Sequence, residues 1–83
     1  MGSKTFDGVW FIAYSHDHLP PHVHGRYAGV EVLVELVNGQ VRLAHRAKAI
    51  RPPSGKRADV NHVLKTATEN ASELMELWRI TNG

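Results

Sequence analysis

Apolar and polar residues alternate through much of the first half of the chain, and the period lengthens to that of a helix in the last third. Val9-Trp10-Phe11-Ile12-Ala13-Tyr14 is rich in aromatic and β-branched residues and predicts a first strand. Ser15 to Pro21 follows as a loop, because the prolines at 20 and 21 cannot donate to a sheet ladder. His22 to Tyr27 alternates polar with apolar or small residues. Val30 to Val37 alternates more strongly, with Val30, Val32, Val34 and Leu36 on one side and Glu31, Leu33 and Glu35 on the other. Asn38-Gly39 then signals a hairpin, since a type I′ turn needs positive φ at both central residues. Gln40 to Ala44 supplies the returning strand, and Ala28-Gly29 offers a second, weaker turn of the same length. The expectation is an antiparallel meander of four strands.

Two-residue turns fix the register, so cross-strand neighbours follow on paper. Tyr27 should face Val30, Arg26 face Glu31, His24 face Leu33 and His22 face Glu35, while Val37 faces Gln40 and Glu35 faces Arg42. One side of the sheet then carries Val23, Tyr27, Val30, Val32, Val34, Leu36, Val41 and Leu43. The other carries His22, His24, Arg26, Glu31, Glu35, Arg42 and, beyond the strand, Arg46. Opposite charges meet in both polar rows, as cross-strand pairing favours. His22 and His24 are expected to face away from whatever covers the apolar side.

The C-terminal third supplies that cover. Val60, Val63, Leu64, Ala67, Ala71, Leu74, Met75 and Trp78 recur at offsets of three and four, one stripe of an amphipathic helix. Met75, Leu77 and Trp78 read as packing. Asp59 is the expected N-cap and Asn82-Gly83 the exit, and Asn70 and Ser72 suggest two helices meeting near Asn70. Arg51-Pro52-Pro53-Ser54-Gly55-Lys56 reads as a linker. The fold class is α+β: a small meander covered on one face by a C-terminal helix or helix pair, as a single domain over residues 1–83.

At 83 residues, with 42% hydrophobic and 22% charged residues, the composition fits one globular domain and leaves no room for a second core. The absence of cysteine removes disulfide frameworks, zinc ribbons and thiol nucleophiles. No apolar run approaches the length of a membrane span, and no signal peptide opens the chain, so a cytoplasmic protein without membrane attachment is expected. Met1-Gly2-Ser3 reads as a cloning remnant.

Charge adds more through its distribution than through its total of +2. Between Val37 and Ala58 there is no acidic residue, while Arg42, Arg46, Lys48, Arg51, Lys56 and Arg57 hold six of the ten basic residues. A segregated basic stretch is what contact with a phosphate backbone requires. The plain alternative is a solvated loop. With Arg26, these residues form the candidate set for nucleic acid or an acidic partner.

The other anomaly is histidine. His16, His18, His22 and His24 fall within nine residues. On a strand, His22 and His24 would lie on one face about 7 Å apart, a spacing suited to a shared metal or phosphate. His18, His22, His24 and Glu35 form a candidate set for a divalent metal. The competing reading is that the rings cap loop carbonyls. Other histidine signatures fit poorly: Arg26 stands where a third alternating histidine would be needed, and no H-E-x-x-H or G-x-S-x-G sequence occurs. His45 and His62 stand alone.

His18-Leu19-Pro20-Pro21-His22-Val23-His24 resembles the H-x-P-P-H-x-H hallmark of a small bacterial family, the domain of unknown function family 4160. Glu73-Leu74-Met75-Glu76-Leu77-Trp78 is similar to that family's E-L-x-x-x-W ending, so the resemblance covers roughly Val9 to Arg79. It implies an aromatic-rich first strand, a histidine loop, a short hairpin and a helical end. Two departures stand out: a residue near Thr66 replaces a mid-helix tryptophan, and the segment from 45 to 57 is unusually basic. The family's gene context, beside another small domain as in toxin–antitoxin pairs, implies a partner protein.

Three readings follow. The leading one is a binding module whose polar sheet face and basic stretch engage nucleic acid or a cognate small protein. The second is a small metal-dependent hydrolase or nuclease, with His18, His22 and His24 as ligands and Glu35 as ligand or general base. In the third, the histidine loop is structural and the helix forms a homo-oligomer interface.

Overall fold

The alternating half of the chain forms one antiparallel sheet. The computed structural model describes residues 1–15 and 19–82. Its elements are β1 (Gly2–Phe6), β2 (Val9–Ala13), β3 (His22–Tyr27), β4 (Val30–Val37), β5 (Gln40–Leu43), β6 (Ile50–Arg51), α1 (Arg57–Glu69) and α2 (Ala71–Asn82). Strands β1 to β5 lie side by side in chain order, and β6 also pairs with β4. The fold is α+β, with two helices packed on the sheet.

The register is the one read from the turns. His22 lies opposite Glu35, His24 opposite Leu33, Arg26 opposite Glu31 and Tyr27 opposite Val30. Glu35 likewise faces Arg42, and Val37 faces Gln40. The pleat sends Val9, Phe11, Ala13, Val23, Val32, Val34 and Leu36 into one core against Val60, Val63, Ala67, Leu74, Leu77 and Trp78 of the helices. Helix α1 packs on β3, β4 and β5, and α2 packs on β1, β2 and β3. The helical stripe breaks at Asn70, as its side chain suggests. The Asn70 amide donates to the Thr66 carbonyl, and its own carbonyl accepts from the Leu74 N–H to start α2.

Several expectations are corrected. No strand is expected before Val9, yet Gly2 to Phe6 form β1, which pairs with β2 along its whole length. The strand escapes the alternation test because Phe6 is its only large apolar residue, and at a sheet edge that suffices. Phe6 sits 6.4 Å from Phe11, ring centroid to centroid. The meander thus has six strands rather than four. Arg51 belongs to β6 rather than to a linker. Asp59 does not cap α1. Lys56 occupies the cap position without a side-chain bond, and Asp59 sits in the first turn, where a carboxylate favours the helix dipole. Met75 is exposed, while Leu77, one position off the apolar stripe, is buried.

His22 is the correction that matters most. It does not face away from the helices. It is 3% exposed, and its ring lies 5.3 Å from the Trp78 indole. The pairing with Glu35 is intact, but His22 is the first residue of β3, and that position at the end of the strand is within reach of the large side chain from α2.

Leu33 explains the sixth strand. It faces the polar side, yet it is buried with Ala44 and Ala49 in a small second core. Its N–H donates to the Ala49 carbonyl, and its own carbonyl accepts from the Ala44 N–H. Strands β5 and β6 are therefore two halves of one edge strand along β4, separated by an excursion over residues 45–48.

Close approach of α1 to the sheet depends on Gly25. A Cβ there would lie 2.6 Å from Val63 Cγ1 and 3.1 Å from Phe11 Cε1. Gly25→Ala is therefore expected to destabilise the protein by about 1–3 kcal/mol through overpacking. Urea denaturation checks this; a change within error would show that α1 has room to shift.

Candidate functional site

The face of the sheet away from the helices is built in cross-strand rows. One row crosses the entire sheet: Thr5, Trp10, Arg26, Glu31 and Arg51 are successive neighbours on β1, β2, β3, β4 and β6. The next holds Ser3, Ile12, His24 and Leu33, and a third holds Glu35 and Arg42, with His22 paired to Glu35 at the strand end but turned against Trp78.

The first row is a chain of charge contacts. The Arg26 guanidinium lies 5.4 Å from the centre of the Trp10 ring, within cation–π range. Arg26 Nε donates to Glu31 Oε1 at 2.8 Å, and Arg51 Nη2 donates to Glu31 Oε2. From the second row, His24 Nδ1 reaches the same Oε2 at 3.2 Å. Glu31 thus collects three donors. In the third row Glu35 is buried and accepts from Arg42 Nε at 2.9 Å.

Burial alone would push the Glu31 carboxyl up. Hydrogen bonds from Arg51, Arg26 and His24 outweigh it and hold the group down at about 2.

The excursion between β5 and β6 adds further basic groups. Arg46 and Lys48, both exposed, line a cleft of about 180 Å³ with His24, Glu31, Leu33 and Arg51. Neither forms an ion pair among the described residues. A broader groove adjoins the cleft through Glu31 and Arg51, and Trp10 and Arg26 line it.

The histidines are brought together in part. His22 and His24 have ring centroids 5.9 Å apart, and Tyr14 stands edge-on to His24 at 5.0 Å. His22 Nδ1 lies 2.9 Å from the Pro20 carbonyl, which can only accept, so this nitrogen carries the proton. The same logic applies to His24 Nδ1 on the Glu31 carboxylate. In a neutral ring, Nε2 is then the lone-pair nitrogen in both cases. His16 and His18 lie outside the described residues. Among the described residues no group of three or more histidine, cysteine or acidic side chains is placed to hold a metal ion.

The model of the family described as Domain of unknown function (DUF4160) matches residues 8–79. The chain belongs to this family. No curated protein and no solved structure matches it. The DUF4160 match spans β2 to most of α2 and leaves β1 outside.

Of the basic residues singled out in this DUF4160 chain, Arg26, Arg46, Lys48 and Arg51 meet around Glu31 and the cleft. Arg42 stands one strand away on Glu35. Lys56 and Arg57 lie apart, at the start of α1. Glu35 lies opposite His22 as expected, and the carboxylate that His24 contacts is Glu31. Trp10 is the residue that the sequence reading passed over as a site residue. The signal was available: Val9, Phe11 and Ala13 take the apolar face, so Trp10 must take the other. His62 is not solitary either, since its Nε2 lies 3.0 Å from the Asp7 carbonyl and its ring packs on Tyr27.

Glu31 makes a pH prediction. Its folded-state carboxyl lies below its ordinary value, so its contribution to stability is complete above about pH 4.5 and is lost as pH falls towards 2. Glu31→Gln should therefore be less stable than the parent at neutral pH, with the gap closing between those values. Urea midpoints across that range check it. A gap that stays constant would show that Glu31 acts through shape rather than charge.

Proposed function

We propose that this protein is a binding module and that its cleft-bearing sheet face engages nucleic acid through the phosphate backbone. One observation carries the reading: among the described residues, the carboxylates of this face, Glu31 and Glu35, are already neutralised by arginines, while Arg46 and Lys48 form no ion pair beside them. Glu31 is paired to Arg26 and Arg51, and Glu35 to Arg42. Five basic side chains thus face two carboxylates, and the surplus is concentrated at a cleft that also presents His24. A merely solvated surface intersperses its charges; here one sign accumulates in a concave site, where the field on an approaching anion is strongest.

Such binding releases counterions, so affinity should fall linearly with salt on logarithmic axes. Alanine at both Arg46 and Lys48 should weaken binding about equally across sequences and flatten that slope by roughly 0.7–0.9 for each phosphate contact removed. Fluorescence anisotropy over a salt series measures both. Failure to bind any RNA or DNA at low salt would overturn the proposal and leave an acidic protein surface as the partner.

The histidine pair supports a second reading, metal binding. Hydrogen bonds that fix Nδ1–H on a carbonyl and a carboxylate are the usual way of presenting Nε2 to a metal. If His22 and His24 ligate zinc, nickel or manganese, alanine at either abolishes uptake, while alanine at His45 or His62 does not. Uptake should also weaken with acidification, because ligating imidazoles must be neutral. Thermal melts unchanged by all three metals between about pH 6 and 8 would eliminate this reading.

A further inference from the structure

Resting on the nucleic-acid reading, we propose that the ligand is single-stranded, with one base stacked on the Trp10–Arg26 pair while a phosphate of the same strand occupies the cleft at Arg46, Lys48 and Arg51. A phosphate-binding role needs no tryptophan. Yet Trp10 is 40% exposed on the reverse face, whereas the other tryptophan, Trp78, is 7% exposed in the core. An indole left in water forgoes the burial that large aromatic side chains gain elsewhere, and here it is held beside a guanidinium in a groove. Flat aromatic and guanidinium surfaces on an open sheet are stacking platforms for unpaired bases. Duplex bases are already stacked on one another and offer such a platform nothing.

Distance and charge agree with this division of labour. Trp10 is on β2 and Arg51 on β6, three strand spacings apart along one row, or about 14 Å at 4.7–4.9 Å per spacing. That separation places the stacked base and the bound phosphate on different nucleotides of one short segment. Glu31 sits between them, its charge already committed to Arg26, His24 and Arg51. The carboxylate therefore does not repel the strand; it sets the position of both arginines. In this scheme Arg26 and Trp10 receive the base, and Arg51 joins Arg46 and Lys48 at the phosphate.

The test compares fluorescein-labelled oligo(U) and oligo(dT), each roughly 12 nucleotides and so within the footprint of small single-strand modules, with RNA and DNA duplexes of equal length. Anisotropy is read at low salt on the intact protein. Single strands should bind at least about tenfold more tightly than duplexes. Trp10→Ala should weaken single-strand binding about 5- to 150-fold without changing the salt slope, and Trp10→Phe should restore most of it. The oligo(U) and oligo(dT) arms identify whether RNA or DNA is preferred. Duplexes that bind as tightly as single strands, or a Trp10→Ala variant with unchanged affinity, would overturn this inference and leave phosphate binding standing. No binding by any of the four probes would overturn both.

Discussion

Everything on the candidate face depends on turn geometry. Three two-residue turns, Asp7-Gly8, Ala28-Gly29 and Asn38-Gly39, join neighbouring strands, and both residues of each have positive φ. Turns of that hand match strand twist and admit one register. A slip by one residue would carry Trp10, His24, Arg26 and Glu31 into the core and turn their apolar neighbours out to water. The core and the site are therefore specified together. Each valine that packs under α1 fixes the direction of the charged residue beside it.

Glu31 is the second organising element, and it acts on side chains rather than backbone. An isolated carboxylate so little exposed to solvent would be costly, but three donors converge on it from β3 and β6. Removing it would leave the Arg26 and Arg51 guanidinium groups close together with no carboxylate between them. The short strand β6 contributes only two residues to the sheet, and one of them, Arg51, is tied to this carboxylate. The ion-pair cluster thus bridges the ordered sheet and the excursion that carries Arg46 and Lys48.

Much of this was legible in the sequence, and the limits have physical reasons. Alternation from His22 to Leu43 and the turns at Ala28-Gly29 and Asn38-Gly39 were enough to fix the register between β3, β4 and β5, because period and turn length leave one solution. The helix break at Asn70 was legible for the same kind of local reason. β1 was missed although Asp7-Gly8 carries as strong a turn signal as Asn38-Gly39; its residues are polar because this edge strand packs on the core through one half-buried side chain, Phe6. β6 was hidden because its pairing with β4 resumes only after the excursion at 45–48, and no local period reports that. Burial of His22 against Trp78 was likewise a contact between distant segments. The basic residues could be listed from sequence. Which of them are neutralised could not, because that depends on how the excursion returns to Glu31.

His24 is where the two functional readings meet, and they make opposite demands on it. As part of a cationic cleft it is most useful protonated, donating from Nδ1 to Glu31 and from Nε2 to an anion. As a metal ligand it must be neutral, with the Nε2 lone pair exposed. Its hydrogen bond to Glu31 is compatible with both states, since Nδ1 donates in each. The same ring cannot do both at once. On the two proposed readings, metal and nucleic acid would therefore compete for this face rather than cooperate.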